Sequence, residues 1–112
     1  TYQNADKQWL RAKSQPTYKP LGPWIVTDIK DPQNLAVRSY LNGELRQNGN
    51  SQLMIFSIAR LIAHLSAFTT LEPGDLIYSG TPAGVGHLAP GDTITVEIEG
   101  IGTLTNTAVA GE

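Results

Sequence analysis

Turn-forming residues interrupt this chain so often that only one stretch, residues 52–67, is long and regular enough for a substantial helix. Along it Leu53, Phe56, Leu61, His64, Leu65 and Phe68 fall on helical spacing, and Asn48-Gly49-Asn50-Ser51 before it reads as a loop ending in an N-cap. Elsewhere the punctuation favours strands, with a short helical turn expected near residues 6–11. Pro20-Leu21-Gly22-Pro23 holds two prolines in four residues. Neither can sit inside a helix or a central strand, so the segment is extended or turned, and residues 24–27 follow as a strand. Residues 35–41 lead into Asn42-Gly43, a hairpin signal because a type I′ turn needs positive φ at both central positions, and residues 44–47 return.

Pro-Gly-Asp occurs at residues 73–75 and again at 90–92, each time before a predicted strand, 76–79 and 93–99; a reversal at 100–102 leads into a last strand at 103–108. The flanks of the two turns do not match, so they are similar turns and not an internal repeat; Asp75 and Asp92 read as turn-stabilising. Thr93, Thr95, Glu97 and Glu99 alternate with Ile94, Val96 and Ile98, which predicts one wet and one buried face. The pattern is α+β and strand-dominated, with one packing helix.

Function classes fall away quickly. Net charge is −2, and the 8 Lys and Arg residues are scattered with none beyond Arg60, which argues against a nucleic-acid footprint. No apolar run approaches the roughly 20 residues of a membrane span, since residues 53–68 carry Arg60 and His64. With no cysteine, disulfides, thiolate nucleophiles and Cys-based zinc sites are excluded, and a cytoplasmic location fits. A domain of 112 residues buries a modest core, so pairing with another segment or a second copy is expected. The polar start at residues 1–7, without an initiator Met or a secretory pattern, reads as a piece of something longer.

Three features carry possible chemistry. Gly80-Thr81-Pro82-Ala83-Gly84-Val85-Gly86 places three glycines in seven residues, which lets backbone N–H groups approach a carboxylate or enolate oxygen; the alternative is a wide structural loop. It is neither a P-loop nor a dinucleotide fingerprint, because no Lys-Ser/Thr follows and it runs toward a strand. Lys13, beside Trp9 and Leu10, either holds an anion or is a solvated surface lysine. His64 and His87 read as a polar point on the helix and an exposed loop residue. Glu97 and Glu99 sit two apart on one strand face, where a solvated pair is favoured over a metal chelate.

Taken in order, Trp9-Leu10-Arg11-Ala12-Lys13-Ser14, Pro20-Leu21-Gly22-Pro23-Trp24-Ile25-Val26-Thr27, Leu41-Asn42-Gly43-Glu44, Gly74-Asp75-Leu76-Ile77, the Gly80–Gly86 loop, Pro90-Gly91-Asp92 and Glu97-Ile98-Glu99-Gly100-Ile101-Gly102 resemble the fumarylacetoacetate hydrolase family over nearly the whole chain. The resemblance implies a mixed β-roll with residues 1–112 forming the C-terminal part of a catalytic domain whose upstream part is missing. It also implies Mg²⁺ or Mn²⁺ bound by ligands upstream of this chain; the pairing expected from size would be as a homodimer. The implied chemistry is on 2-oxo acids or 1,3-diketo acids: C–C hydrolysis, enol–keto isomerisation or decarboxylation, of the kind used in aromatic catabolism. Lys13 matches the family's active-site lysine. Gly80 and Thr81 match the Gly-Thr-Pro turn that contacts a substrate carboxylate, and Gln3 matches a substrate-side glutamine. The family usually has Phe then Asp after Lys-Ser, where Gln15 and Pro16 stand here. On this reading the fragment alone is inactive. The competing reading is a catalytically inactive β-roll with a binding or assembly role.

Overall fold

The structure is a computed structural model that describes residues 12–110; the turn expected at residues 6–11 lies outside them. Its elements are β1 (Ala36–Leu41), β2 (Glu44–Asn50), a 3₁₀ turn (Ser51–Leu53), α1 (Ile58–Ser66), β3 (Thr93–Ile98) and β4 (Gly102–Thr107). The four strands form one open sheet in the order β2-β1-β3-β4, with every neighbouring pair antiparallel. Strand-dominated α+β with one packing helix is the architecture observed.

The β1–β2 hairpin turns at Asn42 and Gly43, with φ of 52° and 85°, the left-handed conformations that favour these two residues. Asn42 also joins the hairpin tip to β3: its backbone N–H donates to the Thr93 carbonyl at 2.8 Å, and its Oδ1 accepts from the Thr93 N–H at 2.8 Å. Its Nδ2 donates to Asp92 Oδ1, also at 2.8 Å. The return strand runs on through Asn48, Gly49 and Asn50, which the sequence places in a loop, because β1 is long enough to pair with them.

The two Pro-Gly-Asp turns are built alike, each aspartate reaching back to the backbone N–H three residues earlier: Glu72 N–H to Asp75 Oδ2 at 2.9 Å, and Ala89 N–H to Asp92 Oδ2 at 2.8 Å. Only the second launches a strand. Asp92 is bonded to the hairpin tip and, through its carbonyl, to the Ala108 N–H, whereas residues 76–79 have no ladder partner among the described residues and are not a strand. Residues 24–27 likewise lack a ladder, and Trp24 ties that segment to the β3–β4 turn by donating from Nε1 to the Ile101 carbonyl at 2.6 Å. Apolar, β-prone residues become strands only where another backbone pairs with them.

The helix expected over residues 52–67 is shorter and divided. Asn50 Oδ1 accepts from the Gln52 N–H and caps the 3₁₀ turn; Ser57 Oγ then accepts from the Arg60 N–H and starts α1 at Ile58. Two capping side chains seven positions apart compete with a continuous helix. Gln33 binds both pieces, donating to the Ser51 carbonyl at 2.6 Å and accepting from the Ile58 N–H at 2.9 Å. Ile58, Leu61 and Leu65 form the half-buried stripe of α1.

One sheet face carries Val37, Ser39 and Leu41 opposite Ile98, Val96 and Ile94. The other is laced by polar pairs: Arg38 Nη1 lies 3.2 Å from Glu97 Oε1, and Thr95 and Thr105 hydroxyls are 3.0 Å apart. The wet-and-buried alternation expected of β3 is corrected on both sides. All six β3 residues are half-buried, and no apolar side chain among the described residues is fully buried; Ser39, at 6% exposure, is the buried polar residue.

Hydrogen bonds from the Asn42 side chain and then from the Ala89 backbone hold the Asp92 carboxyl below its ordinary value of 3.8. A carboxylate lowered on folding contributes stability that is present above that ordinary value and lost as pH falls through the lowered one. Acid melts of the intact protein should therefore show Asp92→Asn less stable than the parent near neutrality, with the gap narrowing below pH 3.8. Parallel acid limbs would count against this role.

Candidate active site

The Gly-rich loop at residues 80–86 rests on β2 where that strand breaks register. Ser39 pairs with Gln47 and Tyr40 with Leu45, which leaves Arg46 as the extra residue of a β-bulge. Gly84, at φ 104°, backs onto this bulge so closely that a Cβ would strike the Arg46 carbonyl oxygen. Next to it the Gln47 side chain donates from Nε2 to Thr81 Oγ1 at 2.8 Å and to the Pro82 carbonyl at 2.9 Å, while its Oε1 accepts from the Ser39 hydroxyl at 2.8 Å. Pro82 packs against Gly49 in the same strand, with room there for no more than a glycine's hydrogen without a shift.

So held, Gly80 and Thr81 form one wall of an open groove of about 530 Å³. Val37 and Ile98 from the sheet, and Met54, Phe56 and Leu61 from the helical side, form an apolar remainder. A polar turn at the rim of an apolar cleft can orient an anionic group while the rest of a small molecule lies against carbon. A smaller hollow of about 260 Å³ lies beyond the loop, lined by Gly84, His87 and Leu88 with Leu41, Arg46 and Ile94.

The structure brings Gly80 and Thr81 together in the groove lining and leaves Lys13 outside it. Ala12 and Lys13 are helical, and Lys13 is exposed. The chain just after Lys13 is tied to the chain just before Gly80: Lys19 Nζ donates to Ser14 Oγ at 3.1 Å and sits 5.5 Å over the Tyr78 ring. Gln3 lies outside the described residues. His87 is exposed, and His64 packs edge-on to Phe68 at 5.5 Å.

Glu97 and Glu99 are not a bare solvated pair. Glu97 is engaged by Arg38 and by the Tyr40 hydroxyl at 3.4 Å, and Glu99 Oε2 accepts from the Ala36 N–H at 3.1 Å. Among the described residues no three His, Cys, Asp or Glu side chains converge. Sequence reasoning missed Gln47 and Ser39. A Gln in a strand carries no signal of its own, and its role arises only because the bulge aims it at a loop 34 positions away.

Comparison with known proteins places the chain. A family profile described as fumarylacetoacetate (FAA) hydrolase, C-terminal, matches residues 1–109. The 4-hydroxyphenylacetate degradation bifunctional isomerase/decarboxylase of Salmonella dublin is 50% identical over 105 residues, covering 92% of this chain and 24% of that protein. The crystal structure of 2-hydroxyhepta-2,4-diene-1,7-dioate isomerase from Mycobacterium marinum superposes with a TM-score of 0.92 at 51% identity, over 96% of this chain and 42% of that one. Maleylpyruvate hydrolase from Sphingobium sp. SYK-6, solved with manganese(II) and pyruvate, gives a TM-score of 0.83 at 40% identity, over 86% of this chain and 37% of that one. The chain thus spans less than half the length of each of these relatives.

The seat of the loop on the bulge makes Gly84 the position least tolerant of a side chain. Gly84→Ala should cost about 1–3 kcal/mol from its backbone conformation alone, with the carbonyl clash added. Denaturant unfolding of the intact protein measures it; a variant as stable as the parent would show that the loop does not depend on this contact.

Proposed function

The chain belongs to the fumarylacetoacetate hydrolase family, and from that premise we propose that residues 1–112 are the C-terminal part of a catalytic domain acting on 2-oxo acids or 1,3-diketo acids as a metal-dependent hydrolase or isomerase. The observation that carries this reading is the Gly80-Thr81-Pro82 turn, fixed on β2 with Thr81 in the wall of a mostly apolar groove. The relatives support the same class, one being named a bifunctional isomerase/decarboxylase of 4-hydroxyphenylacetate degradation, one a 2-hydroxyhepta-2,4-diene-1,7-dioate isomerase and one a maleylpyruvate hydrolase. Aromatic catabolism is the setting we infer, with a cytoplasmic homodimer as the working form. Large apolar side chains left open, such as Ile25 at 90% and Ile55 at 92% exposure, support further covering structure of that kind.

C–C hydrolysis, enol–keto isomerisation and decarboxylation share an enolate, and a divalent ion bound to the substrate would supply polarisation of the 2-oxo group. Its ligands we place outside the described residues. What this chain contributes is positioning and charge. The Thr81 hydroxyl holds a substrate carboxylate at the groove rim, and the glycines beside it let backbone N–H groups come close. Lys13, delivered by the remainder of the domain, adds positive charge to the developing enolate. The one other reading, an inactive binding or assembly module, rests on the exposed apolar side chains, which would then serve docking alone.

Steady-state kinetics on the intact protein separates the two, with an acylpyruvate, oxaloacetate and a 2-hydroxydienoate as substrates and Mg²⁺ or Mn²⁺ supplied. Turnover of none of them would sink the enzymatic reading. Lys13→Ala should lower kcat by about two to three orders of magnitude, as loss of one preorganised charge-stabilising donor does. Thr81→Val should chiefly raise KM, because a carboxylate is charged throughout the reaction. His87→Ala should stay within a few-fold of the parent; the opposite pattern, with Lys13→Ala active and His87→Ala dead, would reverse these assignments.

A further inference from the structure

Thr81 does not choose its own hydrogen-bond direction; Gln47 sets it. Ser39 is the one described residue whose side chain is buried and polar, at 6% exposure, and its hydroxyl donates to Gln47 Oε1. The far side of the same amide meets two oxygens, Thr81 Oγ1 at 2.8 Å and the Pro82 carbonyl at 2.9 Å. A carbonyl oxygen can only accept, so the amide must present its NH₂ to the loop, and the reversed orientation would set oxygen against oxygen. Both NH₂ protons are then spent on the turn. Thr81 Oγ1, already accepting from Gln47, keeps its own proton to donate, and Thr81 lines the groove.

We propose that Gln47, oriented by Ser39, is a positioning residue that holds Thr81 with its hydroxyl proton available to the groove, favouring ligands that present an anionic or carbonyl oxygen there. This rests on the reading of Thr81 as a substrate contact. It explains why the bulge at Arg46 stands where it does: one extra residue re-aims β2 so that Gln47 faces the loop and Gly84 can close on the strand. The arrangement also gives the turn two anchors on one side chain, so that moving Gln47 moves both Thr81 and the backbone that carries it.

The test uses the intact protein with Mn²⁺ and pyruvate as the probe, measured by equilibrium titration, and hydrogen exchange of residues 79–86 measured without ligand. Gln47→Met keeps length and removes the amide. It should weaken pyruvate binding by about tenfold or more, as should Thr81→Val: the latter removes a hydrogen bond to a charged group, and the former removes the two bonds that place that hydroxyl. The Gln47→Met, Thr81→Val double variant should be no weaker than the worse single variant, since both act through one hydroxyl. Exchange across residues 79–86 should rise in Gln47→Met. If thermal melts show that Gln47→Met does not fold, Gln47→Glu, of the same shape but with no donor at neutral pH, replaces it under the same criteria. A Thr81→Val protein that binds pyruvate as the parent does, or a parent that does not bind it at all, removes the substrate reading on which this proposal stands. With Thr81→Val impaired, three results each overturn the role of Gln47 alone: parent-like binding by Gln47→Met, multiplicative losses in the double variant, or unchanged exchange in the loop.

Discussion

A single register break in β2 is the constraint on which the arrangement of the candidate site depends. An antiparallel ladder with no extra residue would send successive side chains to alternate faces at a fixed pitch, and the loop at residues 80–86 would meet a flat edge strand. Arg46 interrupts that pitch, exposes its carbonyl to the Gly84 approach and leaves Gln47 paired with Ser39 across the ladder. The edge strand is thereby covered by a loop of its own chain, one of the ways in which sheets protect their edges. Structure and site share the same contacts.

A second network fixes the hairpin end of the sheet. Asn42 and Asp92 bind the hairpin tip, the turn before β3 and, through the Asp92 carbonyl, the start of the segment beyond β4. Two short polar side chains do there what apolar packing does in a larger domain, and they do it at the surface. This matters because the described residues enclose no apolar core: the sheet's Val and Ile side chains are half-covered, and Ile62 in α1, with Phe56 and Phe68 on either side of that helix, is exposed, at 44%, 48% and 68% respectively. Directional hydrogen bonds, being specific in geometry, define the backbone path where non-directional burial is incomplete.

The site shows a division of labour that follows from these two networks. The sheet offers an apolar floor, the helical side an apolar wall, and the Gly-Thr-Pro turn the polar rim. Acidic side chains that might have competed with an anionic guest are occupied elsewhere, Glu97 by Arg38 and Tyr40, Glu99 by the β1 backbone.

Local chemistry made much of this legible in the sequence. Asn42-Gly43 determined the hairpin because those residues tolerate positive φ; the two Pro-Gly-Asp turns, the last two strands and the family followed from residue types at short spacing. What failed was whatever needs a partner. Residues 24–27 and 76–79 have strand-like composition and no ladder among the described residues, and the helix begins only after Ser57 because a capping hydroxyl and Gln33, distant in sequence, take up its first amides. Gly80 and Thr81 could be picked out as a turn, but their orientation could not. That was decided by Gln47, 34 positions before Thr81, through a bulge that exists only once β1 and β2 pair. Short-range conformational preference is written residue by residue, whereas register and the aim of a side chain across a sheet are properties of two segments together, which is why the tertiary structure alone decided them.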